Sequence, residues 1–204
     1  LDVIEEENTE DMERMGGVID NTDKDYLDTP VLMHVKARLP WLLVLMVSYV
    51  FTGGMIASFE KSLSAVIALV AYMPMLMGTG GNSGTQSSTV IITGMATGDL
   101  ELSDVLRVLW KEFRIGIIVG ICVSILNYMR IVAFDHNGSL VALTVCLSMV
   151  LIVIIAKCIG ALLPMIAKKI GIDPALIAGP MMASLTDMVA LGTYFTMARL
   201  VLKI

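Results

Sequence analysis

Three stretches of this chain contain no Asp, Glu, Lys or Arg: Leu39 to Phe59 (21 residues), Ser62 to Gly98 (37) and His136 to Ala156 (21). A bilayer core takes roughly 20 apolar residues per helical span, and a spanning helix satisfies its own backbone hydrogen bonds there. Only 16% of the 204 residues are charged and 56% are hydrophobic, whereas soluble domains hold about 25% charge. A typical soluble enzyme is excluded. The pattern predicts an all-α, polytopic protein of the cell membrane with lipid around it.

The apolar pattern divides into five spans, near Pro40 to Phe59, Ser62 to Thr97, Lys111 to Phe134, Ser139 to Ile166 and Ile172 to Leu202. Charge is segregated, with 11 acids and 2 bases in residues 1–28 against 8 acids and 12 bases in 29–204. We therefore divide the chain into an acidic cytosolic segment and linker (1–30) and a five-helix transmembrane domain (31–204). With an odd number of spans the termini face opposite sides. Ten bases, Lys157 among them, fall on the N-terminal side and four on the other, so the positive-inside rule puts the N-terminus in the cytoplasm and the C-terminus outside. Lys157 is expected to snorkel to the headgroups, a buried ion pair being the alternative, and Gly116 and Gly120 to form a close helix contact. Cys122, Cys146 and Cys158, without CxxC spacing, read as small buried hydrophobes. The opening at Leu1 in an acidic run, with no secretory signal, suggests the membrane part of a longer protein.

The second span holds PMLMGTGGNSGTQSS at Pro74 to Ser88, too polar a run for a lipid-facing helix. Gly78 and Gly81, three apart, share a face on which an ion could approach backbone carbonyls, with Asn82 and Gln86 on a neighbouring face. Helix packing through Gly80 and Gly84 is the alternative reading. The fifth span holds Asp187, an intramembrane carboxylate with no base nearby on its helix. Such groups face a bundle interior or a water-filled path; a hydrogen bond to Ser184 or Thr186 is the other possibility. Ala183, one turn earlier, is small enough to expose its carbonyl. Pro180 is expected to leave the Leu176 carbonyl without a donor and loosen the helix.

Carboxylate, carbonyl and water are hard ligands suited to magnesium, calcium or manganese. Magnesium gives up its waters reluctantly, so a wide ring of carbonyls with few carboxylates suits it. One aspartate per chain is thin for a divalent ion, whereas a two-fold homodimer would bring two together. The acidic head reads as a solvated helix whose carboxylates could also take divalent cations.

The acidic EEENTEDM segment, Leu39-Pro40-Trp41-Leu42, GTGGNSGTQSS at 78–88 and DPALIAGPMMASLTD at 173–187, in this order, resemble the MgtE family of magnesium channels. The resemblance covers essentially the whole chain. It implies a homodimer with five helices per subunit and a pore on the two-fold axis lined by the second and fifth. It also implies a hydrated Mg2+ held by Asp187 with backbone oxygens of Gly78, Gly81 and Ala183, and Asp173 at the cytoplasmic mouth. By the same resemblance the acidic segment is a plug helix whose Asp2, Glu7, Glu10 and Asp11 take regulatory Mg2+. Two departures stand out: the cytosolic N-terminal and CBS domains are missing, and Gly179 stands where some members would carry a polar asparagine.

The expected function is therefore a channel passing Mg2+ into the cytoplasm down its electrochemical gradient, with Asn82, Gln86, Gly179 and Pro180 also lining the pore. A carrier coupled to sodium or protons, with Asp187 as coupling group, is the alternative. Catalysis is not expected, since His34 and His136 lie in no catalytic motif, and neither is a nucleic-acid partner. A non-transporting anchor for the missing domains is the remaining reading.

Overall fold

The computed structural model describes residues 2–18, 26–59, 67–135 and 138–203, with side chains from Thr9 onward in the first helix. Among the described residues there are six α-helices: α1 Asp2–Met15, α2 Val31–Ser58, α3 Ala68–Ala96, α4 Val105–Arg130, α5 Ser139–Lys169 and α6 Gly179–Leu202. Short 3-10 turns at Leu102–Asp104 and Pro174–Ile177 precede α4 and α6, and a π turn, Ile131–Asp135, continues α4. No strand occurs among the described residues.

Among the described residues, four segments are long and apolar enough to cross a membrane: α2, α4 with its flanking turns, α5 and α6. The protein is multi-pass. Helix α3 has 29 residues, about 43 Å at ~1.5 Å per residue, but its Gly, Ser, Thr, Asn and Gln residues lower its apolar character.

Helix α5 is the spine, packing along α3 and α4 and also against α6. Its contact with α4 is close because Gly116 and Gly120 carry no side chain there; a Cβ would lie 2.8 Å from Ile154 Cα and 3.1 Å from Val150 Cα. Its contact with α3 is closer still, since a Cβ on Gly160 would lie 2.2 Å from the Gly84 carbonyl oxygen. The main core joins α3, α5 and α6 through Leu76, Met149, Ile152, Leu191 and Phe195. Within it the Tyr194 hydroxyl donates to the Leu69 carbonyl at 3.0 Å.

Three expectations are corrected. The fifth span is not one helix: Asp173 caps the Pro174–Ile177 turn by accepting from the Ala175 amide at 2.9 Å, and α6 starts at Gly179. Pro180 thus lies in the first turn of α6, where a missing N–H costs no helical hydrogen bond, and it initiates a helix instead of loosening one. Lys157 does not snorkel, because its face of α5 turns towards α3; the residue is 5% exposed and its Nζ donates to Ser87 Oγ at 3.5 Å. Of the cysteines, Cys146 is buried, Cys158 partly so, and Cys122 exposed on the outer face of α4.

Candidate ion site

Helices α3 and α6 pack side by side, and where they meet a 430 Å³ cavity is lined by Pro74, Met77, Gly78, Gly81, Asn82, Thr85, Ala183 and Asp187. The glycine run serves two faces. A Cβ on Gly78 would meet nothing within 4 Å, and one on Gly81 would lie 3.7 Å from Ala183, so this face leaves the α3 backbone open to the cavity. Gly80 and Gly84 turn the other way, towards Ile152 and Thr186, where added Cβ atoms would lie 3.0 and 2.9 Å from side-chain carbons. The run thus has one face open to a cavity and another packed against α5 and α6.

Among the described residues, Asp187 is the only carboxylate lining that cavity. It makes no hydrogen bond or ion pair among them, and the two hydroxyls considered for it are engaged elsewhere. Thr186 Oγ1 donates to the carbonyls of Met182 and Ala183, at 2.8 and 2.9 Å, and Ser184 Oγ pairs with Ser48 Oγ of α2 at 2.5 Å. The Ala183 carbonyl therefore already has a hydroxyl donor. No group of three or more His, Cys, Asp or Glu side chains fit to hold a metal occurs among the described residues. The arrangement offers one carboxylate, a side-chain amide and exposed backbone, which suits an ion that keeps most of its water.

Residues 73–197 match the family model for MgtE divalent cation transporters. The chain is a member of the MgtE family. It is 40% identical over 203 residues to the magnesium transporter MgtE of Thermus thermophilus, and 34% identical over 199 residues to that of Bacillus subtilis. The Enterococcus faecalis magnesium transporter MgtE is 28% identical over 203 residues. These alignments cover 97 to 100% of the chain but only 43 to 44% of each relative. This MgtE chain thus spans less than half the length of those relatives.

The other sequence-derived positions are dispersed. Asp173 lies at the start of the turn before α6, paired with Arg14 of α1. Gly179 lies under the end of α1, where a Cβ would come within 2.1 Å of the Met15 carbonyl oxygen, and Pro180 follows it. Gln86 lines a second cavity, bounded by α3, α4 and α5, to which Asn82 also contributes. Glu10 pairs with Arg14, and Asp11 is exposed. The side chains of Asp2 and Glu7 lie outside the described set.

Sequence reasoning missed Thr85, which lines both cavities, and the buried Glu112. Thr85 was legible as a hydroxyl within the polar run. Glu112 sits between Lys111 and Phe113 at the edge of an apolar span, where a carboxylate looks like a headgroup-level charge.

Proposed function

We propose that two copies of this MgtE chain form a magnesium channel that passes Mg2+ into the cytoplasm down its electrochemical gradient, with α3 and α6 lining the pore. The observation that carries this reading is the cavity in which Asp187 faces the side-chain-free edge of Gly78 and Gly81. A carboxylate at membrane depth costs ~2.5 to 3.5 kcal/mol on insertion scales, so leaving it unpaired makes sense where a cation passes. Two such cavities across a two-fold axis would match the charge of a divalent ion and provide carbonyls for its water shell. Helix α3 then crosses the membrane as a fifth span. Its polar face is acceptable because it meets the pore, and its other faces pack on α5 and α6.

On this reading the N-terminus is cytoplasmic, the C-terminus outside, and Asp173 and Gly179 stand at the cytoplasmic mouth beneath α1. The acidic segment acts as a plug whose Asp2, Glu7, Glu10 and Asp11 take regulatory Mg2+ together with N-terminal and CBS domains of a longer chain.

The test is Asp187→Ala in proteoliposomes. Mg2+ flux and calorimetric Mg2+ binding at the membrane site should be lost while the dimer persists on size-exclusion chromatography. Unchanged affinity would overturn the site. Flux that requires a sodium or proton gradient would replace the channel by a carrier, whereas single-channel currents support the channel.

A further inference from the structure

A second cavity, of 920 Å³, lies between α3, α4 and α5, and shares Asn82 and Thr85 with the Asp187 cavity. Its wall holds two buried, oppositely charged groups: Glu112 of α4, 7% exposed, and Lys157 of α5, 5% exposed. They make no direct ion pair. Ser87 of α3, 2% exposed, stands between them, its Oγ donating to Glu112 Oε2 at 2.6 Å and accepting from Lys157 Nζ at 3.5 Å. The other lysine of the cavity wall, Lys111, is exposed.

Removing one charge of such a set leaves the other buried and uncompensated. Without Lys157, the cavity would present the Glu112 carboxylate beside the oxygens of Ser87, Thr85 and Gln86. That is a hard-oxygen set of the kind divalent cations take. With Lys157 in place, an ammonium that cannot diffuse away neutralises the carboxylate and repels a second cation.

We propose that Lys157 is a fixed countercation that holds divalent ions off Glu112, so that an ion passing Asn82 and Thr85 is not trapped in the side cavity. This rests on the pore reading only in taking that ion to be the transported one. Lys157 is then a specificity-determining residue that acts through Glu112.

The experiment counts Mn2+ bound per chain by equilibrium dialysis, on the full chain in lipid nanodiscs. The proteins are the parent, Lys157→Met, Glu112→Gln and the double variant, each prepared both with and without Asp187→Ala. Lys157→Met should bind one more Mn2+ per chain than its parent in both backgrounds, and the double variant should not. Mg2+ flux through Lys157→Met should fall severalfold and recover in the double variant. Equal stoichiometry in Lys157→Met and its parent would overturn the proposal, and so would extra binding that persists with Glu112→Gln. If Lys157→Met does not fold, Lys157→Gln, which keeps a donor for Ser87, makes the same comparison. Should Asp187→Ala leave Mn2+ binding unchanged, the pore reading fails, while the contrast between Lys157→Met and the double variant still decides this one.

Discussion

Arg14 and Asp173, 159 positions apart in the chain, form an ion pair with Nη1 2.5 Å from Oδ2. The carboxylate that the family resemblance places at the cytoplasmic mouth is thereby engaged by an arginine of α1, which also pairs with Glu10. The hydrogen bond to Asp173 outweighs desolvation and, with the nearby carboxylates, pushes the Arg14 pKa further above its ordinary value. The acidic helix is docked by a direct contact: Arg14 on Asp173, with the Met15 carbonyl seated over Gly179.

Breaking this contact should loosen α1 in two graded steps. Both members of the ion pair are partly exposed, so Arg14→Ala should weaken docking by ~1 kcal/mol or less, an effect that shrinks in high salt. Gly179→Ala places a methyl group where the Met15 carbonyl lies and should release α1 further. Hydrogen exchange of amides 10–18 measures both. Release by Arg14→Ala with none by Gly179→Ala would show that the close backbone approach contributes nothing.

The open face of α3 and its packed face against α5 should respond oppositely to bulk. Gly78→Val adds atoms in open space and should reduce Mg2+ flux while leaving the thermal midpoint near that of the parent. Gly160→Ala pushes a methyl group into the Gly84 carbonyl and should destabilise the fold by ~1 to 3 kcal/mol or more, the usual cost of overpacking. Flux assays and thermal melts on both variants decide it. Normal conduction by Gly78→Val would mean that this face does not meet the ion.

Tyr194→Phe removes the hydrogen bond that ties α6 to the Leu69 carbonyl in the core and should cost ~0.5 to 1.5 kcal/mol. The expected readout is a lowered thermal midpoint with unchanged Mn2+ affinity. An unchanged midpoint would show that the bond contributes nothing net.

The all-α class, the presence of several long apolar helices and the polar run of α3 were legible in the sequence because hydrophobic burial and backbone satisfaction impose long apolar stretches. That Asp187 would face a cavity was legible too, since a lone carboxylate in an apolar span faces a bundle interior or a water-filled path. What the letters could not decide depends on which helix faces which. Lys157 looked close enough to a membrane surface to reach it, and only the central placement of α5 shows that it is enclosed with Ser87 and Glu112. Pro180 looked like a kink within a helix, and only the capped turn at Asp173 shows that it begins one. The glycines of α3 carried two roles in one string, separated by rotation about the helix axis: Gly78 and Gly81 turn to a cavity, Gly80 and Gly84 to neighbouring helices. Composition and periodicity act locally along the chain, so they specify elements. Long-range packing brings Arg14 to Asp173 and Lys157 to Ser87, and those pairings exist only once the bundle has assembled.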